Sequence, residues 1–319
     1  MKRVLITGVT GFAGQYLAEL LLKSSQIELH GTYHSEDSRM RLGEIERKII
    51  LHQLDLTNFD AISELIKQVM PDEVYNLAAQ TSPGESMKNP SETLVTNTLS
   101  QLNLFEALRK HNLTDVRILA VSSAEVYGAI MPGDLPIDEN TPFRPTTPYA
   151  VSKITQDYLA LQYFLSHKMS IIRVRPFNHT GPRQQPKFVV PMFAKQIAEI
   201  EKGTQEPMMK VGNLKSRKDF SDVRDVVRAY SLIMEKGEPG EVYNIGFGAS
   251  VSVQEILDQL LSFSDKDISV QVDQTLYRSI DTPEVVSDST KLRELTGWQP
   301  EISLSKTLKD TLDYFRKVV

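Results

Sequence analysis

The chain has no cysteine, which excludes disulfides, thiolate metal sites and cysteine nucleophiles together. A reducing compartment is consistent with that absence. No run reaches the roughly 18–20 apolar residues that span a bilayer. The opening MKRVLITG enters an apolar strand without the long apolar region of a signal peptide. A cytoplasmic protein with no membrane partner is expected. Positive charge is also scarce: 36 Lys and Arg against 41 Asp and Glu give a net charge of −5, so there is no basic footprint for nucleic acid. An anionic small molecule would have to meet local cations. His30 and His34 are close in sequence but lack accompanying carboxylate ligands, so no metal is expected. Internal repeats and low-complexity stretches are absent as well.

What is present is ordinary globular material: 319 residues, 40% hydrophobic and 24% charged, enough for one large α/β unit or two unequal lobes. Short apolar runs alternate with amphipathic patterns in the first half. They predict strands over 4–7, 28–32, 49–55, 74–78, 117–121 and 171–175, with helices over 15–23, 61–69, 97–110 and 149–166. Such alternation predicts βαβ units, hence a Rossmann-type doubly wound parallel sheet. From Pro176 onward the texture changes, with Pro182, Pro186 and Pro191 punctuating shorter, more polar elements. The expected organisation is a dinucleotide-binding domain over 1–176 and a smaller C-terminal substrate-binding lobe, mainly 177–319. A segment near 222–248 returns to the main sheet.

The first strand runs into Gly8-Val-Thr10-Gly11-Phe12-Ala13-Gly14, and a helix follows. Glycine lets the backbone turn tightly and lets a pyrophosphate approach. The helix N-terminus adds amide donors and partial positive charge. This loop predicts a dinucleotide site. No acid closes the second strand, where a carboxylate would hold the ribose 2′-hydroxyl of NAD. Thr32, His34 and Arg39 stand nearby instead, so NADP(H) is favoured over NAD(H), with both open. Asp55, closing the third predicted strand, suits the adenine amino group or caps the next helix.

Tyr149 and Lys153 lie one helical turn apart on one face. A phenol is a poor acid–base catalyst at its free pKa of about 10, and a neighbouring ammonium is expected to draw it down. Upstream, Val121-Ser122-Ser123-Ala-Glu125-Val-Tyr127-Gly128 ends a predicted strand. Ser123 is positioned to hold the substrate oxygen that Tyr149 protonates, while Ser122 serves the strand end.

Glycine loop, serine and Tyr-x-x-x-Lys in this order resemble the extended short-chain dehydrogenases/reductases that act on nucleotide sugars, over essentially the whole chain. The resemblance implies cofactor contacts at Leu56, Leu77, Ala78, Ala79, Gln80, Asn97, Val121 and Pro176, and sugar contacts at Ser82, Asn178 and Val189. It also implies a homodimer through a four-helix bundle made by the helices at 97–110 and 149–166. The strings Arg175-Pro-Phe-Asn178-His179-Thr-Gly-Pro182, Phe193-Ala-Lys195-Gln196-Ile197 and Asp219-Phe-Ser-Asp222-Val-Arg224-Asp225 resemble the GDP-mannose branch of that family. Lys195, Arg217, Lys218 and Arg278 then become candidate cations for a diphosphate. This branch usually has Arg directly before Asp219, where this chain has Lys218. A lysine cannot make the bidentate fork of an arginine.

The branch implies reduction of the C4 ketone of a GDP-4-keto-6-deoxy-mannose by a nicotinamide dinucleotide. Its runner-up is 4,6-dehydration of GDP-mannose, in which a glutamate at the position of Glu125 removes the C5 proton; other nucleotide-sugar epimerases or reductases follow. Glu125 suits either activity. A non-catalytic dinucleotide sensor is disfavoured by the retention of Ser123, Tyr149 and Lys153 together.

Overall fold

The computed structural model describes residues 1–277 and 283–319. In chain order, its first half runs β1 (Lys2–Thr7), α1 (Phe12–Leu21), β2 (Ile27–Tyr33), α2 (Glu36–Arg39), β3 (Ile50–Gln53), α3 (Phe59–Val69), β4 (Glu73–Asn76), α4 (Pro83–Lys88), α5 (Pro90–Lys110) and β5 (Arg117–Val121). There follow α6 (Pro148–His167), β6 (Ile171–Pro176), β7 (Asn178–Thr180), α7 (Val189–Lys202), β8 (Met208–Val211) and β9 (Arg217–Asp222). The remainder is α8 (Val223–Lys236), β10 (Val242–Ile245), β11 (Ser250–Ser252), α9 (Val253–Leu261), β12 (Ser269–Val272), α10 (Thr290–Thr296) and α11 (Leu304–Val318).

Seven parallel strands form the main sheet in the order β10-β6-β5-β4-β1-β2-β3. The chain winds outward from β1 in both directions, so the order reverses between β1 and β4. Crevices at such a switch point, beyond the C-terminal strand ends, receive ligands in doubly wound folds. The central strands are continuous apolar runs because both faces are covered. One face packs Val4, Ile6, Leu119 and Val174 under α1 and α8, and the other packs Leu5, Val74 and Ile118 under α3, α5 and α6. At one edge β10 pairs with β6, Val242 opposite Arg173. Leu292 and Trp298 also join the main core, later in the chain than the expected return segment. A separate core of Val190, Phe193, Ile197, Ile256, Leu257, Leu308 and Leu312 holds α7, α9 and α11 together in the smaller lobe.

Two of the boundaries that differ from the expectation bear on the site. The fifth helix begins at Pro90 rather than 97, since proline fits a first turn, so Asn97 sits inside it. The third strand stops at Gln53, which places Asp55 in the turn beyond it. Asn58, not Asp55, caps the helix that follows, its side chain accepting from the Ala61 amide at 3.2 Å.

Candidate active site

The glycine loop is a cradle that side chains would fill. Gly8 takes φ +69°, and a Cβ there would lie 3.0 Å from Ala78 Cα. At Gly14 a Cβ would lie 2.6 Å from the Gly8 carbonyl oxygen and 2.8 Å from that of Val9, both rigid backbone atoms. No side chain caps α1 and no acid occupies its first turn, so its leading amides and dipole favour an anion at the loop formed with Thr10, Phe12 and Ala13. These residues therefore fit the pyrophosphate of a dinucleotide. Thr32 has a different task from the expected cofactor contact. It is buried, and its hydroxyl accepts from the Gly8 amide at 3.0 Å, which ties the loop to β2.

Beyond β2, His34 is exposed. Arg39 lies over the Tyr33 ring at 5.8 Å and pairs with Glu36 at 3.3 Å and Glu46 at 2.7 Å. The Asp55 carboxylate accepts from the amide and hydroxyl of Thr57, both at 2.8 Å, and these bonds hold it below the usual carboxylate range.

After β4, residues Leu77, Ala78, Ala79 and Gln80 run along the C-terminal edge of the sheet. The Ala78 amide donates to the Thr7 hydroxyl at 3.1 Å. Fully buried Asn97 accepts from the Gln80 amide at 2.7 Å, then donates to the Gln80 carbonyl at 3.1 Å and to Ser152 Oγ at 2.9 Å. Asn97 is thus a clamp between this edge, α5 and α6, rather than a group facing the cleft. Leu56 packs against the core beneath α3.

Tyr149 starts α6, one position after Pro148, with the Thr147 hydroxyl capping the helix. Its amide donates to Ser86 Oγ at 3.1 Å, and its carbonyl accepts from Ser152 Oγ at 2.7 Å. The backbone of Tyr149 is therefore held on two sides. Its phenol departs from the expectation. Burial pushes it above the ordinary tyrosine range and nearby Glu125 adds to that, while a hydrogen bond with Ser123 opposes both. Ser123 Oγ accepts from the Glu125 amide at 3.2 Å.

Lys153 does not draw the phenol down here. Its Nζ donates to the Val121 carbonyl at 2.8 Å, at the end of β5. Burial pushes this ammonium down to about 7, against the opposing pull of Asp157. Ser122 ties the same strand end to α6 by donating to the Lys153 carbonyl at 3.1 Å.

Substrate-lobe candidates divide. Pro176 ends β6 and Asn178 opens β7, so both lie at the C-terminal sheet edge. Val189 starts α7 and packs on the small-lobe core. Ser82 caps α4 by accepting from the Glu85 amide at 3.3 Å. Lys195 pairs along α7 with Glu199 at 3.4 Å. Arg217 donates to Ser250 and Glu255 and lies 3.6 Å from Glu284, so it staples β9 to its neighbours. Lys218, the next residue of the strand, faces the opposite way. Arg278 lies outside the described residues. Among the described residues no group of His, Asp and Glu is arranged to hold a metal, and no helix is long and apolar enough to cross a membrane.

The family model described as GDP-mannose 4,6 dehydratase matches residues 5–311. The chain belongs to this GDP-mannose 4,6-dehydratase family. Its members are extended short-chain dehydrogenases/reductases, and the expected NAD(P)-dependent enzyme and parallel fold both stand. The GDP-6-deoxy-D-mannose reductase of Pseudomonas aeruginosa is 32% identical over 311 residues, 98% of this chain and 96% of that protein. A GDP-mannose 4,6-dehydratase of Yersinia enterocolitica is 30% identical over 96% of this chain and 91% of its own length. Among solved structures, RMD from Pseudomonas aeruginosa complexed with NADPH matches with a TM-score of 0.87 and 31% identity, each chain covered completely. A Thermus thermophilus UDP-glucose 4-epimerase in complex with NAD also reaches 0.87, at 26% identity and 99% and 100% coverage. A nicotinamide dinucleotide is common to these neighbours, whereas NADP and NAD both occur among them.

Several residues of this family member escape the motif-based reading. Asp157 lies one turn beyond Lys153 on the same face of α6, and its buried carboxylate accepts from Arg173 Nη1 and Arg175 Nε, both at 2.8 Å. Arg175 also donates to Tyr127 Oη at 3.0 Å, and Tyr127 donates to Asn244 at 2.7 Å. This buried network joins α6 to the segment that carries Ser123 and Glu125. An acid continuing the Tyr149–Lys153 stripe at i+4 is the signal that marks it.

Proposed function

We propose that the chain reduces the C4 ketone of GDP-4-keto-6-deoxy-D-mannose to give GDP-D-rhamnose (GDP-6-deoxy-D-mannose), with Tyr149 as the proton donor. The observation that carries this reading is the likeness over nearly the whole chain to the GDP-6-deoxy-D-mannose reductase of Pseudomonas aeruginosa, with Tyr149 buried at the start of α6. Ketone reduction requires a protonated acid at the start. A 4,6-dehydration begins by oxidising the C4 hydroxyl, which requires the deprotonated form as base. At neutral pH the raised phenol of Tyr149 is in the acid form from which ketone reduction starts.

The glycine loop from Gly8 to Gly14 would hold the pyrophosphate, with the edge from Leu77 to Gln80, the Val121 carbonyl and Pro176 beside the nicotinamide. When bound, the dinucleotide supplies the hydride that becomes the new C4 hydrogen. Ser123 and Tyr149 hold O4, and Tyr149 Oη gives its proton to that oxygen as negative charge develops there. Ser122 and the Val121 carbonyl hold Lys153 one turn beyond Tyr149, and Asp157 favours its charged form. Glu125 accepts from a sugar hydroxyl. Lys195, Lys218 and Arg278 serve the diphosphate, with Asn178, Ser82 and Val189 around the sugar. Arg217 is a further cation for the diphosphate, its carboxylate partners Glu255 and Glu284 lying at the surface. The absence of an acid closing β2 favours NADPH over NADH.

The test supplies the keto sugar with NADPH, and separately GDP-mannose with NADP⁺. Dinucleotide oxidation with the keto sugar alone is the expected result, whereas loss of water from GDP-mannose would assign the dehydratase. Tyr149→Phe is expected to cut kcat by about 10²–10⁴-fold with NADPH affinity retained. Near-normal turnover in that variant would remove Tyr149 from the mechanism.

The same reading includes a homodimer through α5 and α6. Val95 on α5, with Val151, Tyr158 and Leu165 on α6, keeps 41–57% of its surface exposed on the outer face of this helix pair.

A further inference from the structure

We propose that Arg183 is a positioning residue, which locks the sugar-binding segment onto the helix that starts the dinucleotide site and so couples the two ligands. The proposal rests on the function read above and deepens it. Helix α1 begins at the glycine loop, and its residues Phe12, Tyr16 and Glu19 follow one stripe of its surface. All three hold the segment that continues from β6.

The Phe12 ring stacks on His179 with centroids 5.9 Å apart and planes 4° from parallel. Tyr16 Oη donates to the Pro182 carbonyl at 2.9 Å. Arg183 donates through both terminal nitrogens to Glu19, at 2.6 and 3.0 Å, while its guanidinium lies 3.9 Å from the Tyr16 ring centre. A bidentate arginine fork fixes orientation as well as distance. Arg183 adopts φ +70°, a left-handed conformation uncommon outside glycine, so the turn is shaped to deliver this side chain to α1.

The segment is also braced internally. His179 Nδ1 lies 3.0 Å from the Phe177 carbonyl. Thr180 donates to Gln184 at 2.7 Å, and Gln184 donates to the His179 carbonyl at 3.0 Å. Residues 177–184 are therefore tied to one another, with Asn178 near one end and the α1 clamp at the other. A pyrophosphate drawn onto the first turn of α1 restrains that helix, and the clamp passes the restraint to Asn178. Such a contiguous path of packed rings and ion pairs is a physical route for coupling between sites.

The experiment uses the full chain with NADPH and GDP-mannose, a pair that cannot react by ketone reduction. Hydrogen exchange over 177–184 is measured with and without NADPH, and GDP-mannose affinity is measured by calorimetry in both states. In the wild type, NADPH should slow exchange in this segment and raise GDP-mannose affinity about tenfold. In Arg183→Gln and in Glu19→Gln, NADPH should bind within about twofold of wild type while the tenfold gain falls toward one. The double variant should lose no more than either single one, since both remove the same contact. Glu19 is a helix-surface residue, so its variant carries the test should Arg183→Gln fold poorly. Retained coupling in the variants, or equal loss of both affinities with no change in coupling, would overturn the proposal. So would a wild type whose segment ignores NADPH. A wild type that shows the exchange response but does not bind GDP-mannose would remove the GDP-sugar reading and leave the clamp standing.

Discussion

Tyr149 and Lys153 sit one turn apart, yet burial drives their proton affinities in opposite directions: the phenol is raised and the ammonium lowered to about 7. The consequence can be measured without any substrate. An unfolded lysine holds its proton up to about 10.5. Between these two values the unfolded chain binds the extra proton, so stability rises with pH, at about 1.4 kcal/mol per unit for this one group. Below pH 7 both forms are charged and the slope vanishes. Above about 10 the unfolded tyrosine ionises before the buried Tyr149 does, and the sign reverses. Urea unfolding at several pH values should show wild-type stability rising relative to Lys153→Met from pH 7 toward 10. Parallel curves for the two proteins would mean that Lys153 stays hydrated. The placement of both residues on one face of a helix was legible from their spacing. Their electrostatics were not. Their surroundings depend on Ser86 and the Val121 carbonyl, which arrive from distant parts of the chain.

Short elements with local signals were read most accurately. The span of β5 agrees throughout, because an apolar run bounded by polar residues has only one reading. The glycine loop was equally plain, since strand, turn and helix follow one another within a few residues. Its requirement is strict: at Gly14 a methyl group would meet two backbone oxygens that cannot rotate away. Gly14→Ala should therefore lower stability by about 1–3 kcal/mol through overpacking and weaken NADPH binding, read by thermal unfolding and nucleotide fluorescence. Unchanged affinity in a well-folded Gly14→Ala protein would show that the dinucleotide does not use this loop. Longer-range assignments were harder. Thr32 and Asn97 look like ligand contacts by position, but one braces the glycine loop and the other clamps α5 to α6. Side chains at a ligand edge and side chains that build that edge occupy the same stretch of sequence. Only burial and partners separate them.

At the scale of the whole molecule, the main sheet is covered by α1 and α8 on one face and by α3, α5 and α6 on the other, yet α6 keeps an apolar outer stripe. Val151, Tyr158 and Leu165 recur at intervals of seven residues, the spacing that keeps one seam facing a partner helix. Val95 of α5 adds a fourth exposed apolar side chain. Aligned large apolar groups on a helix pair mark an interaction surface, since scattered singles would show no such period. A second copy can place its own α5 and α6 against this pair in two-fold fashion, each stripe meeting its equivalent. Wild-type protein should therefore sediment as a dimer. Tyr158→Glu with Leu165→Glu should shift it to a monomer, because carboxylates would be buried without partners. The monomer should retain its fold, since these positions are exposed within the chain, but it should be less active if pairing steadies Tyr149 and Lys153 on the same helix. A wild type that sediments as a monomer at micromolar concentration would rule out this interface, and the apolar stripe on α6 would then lack a partner.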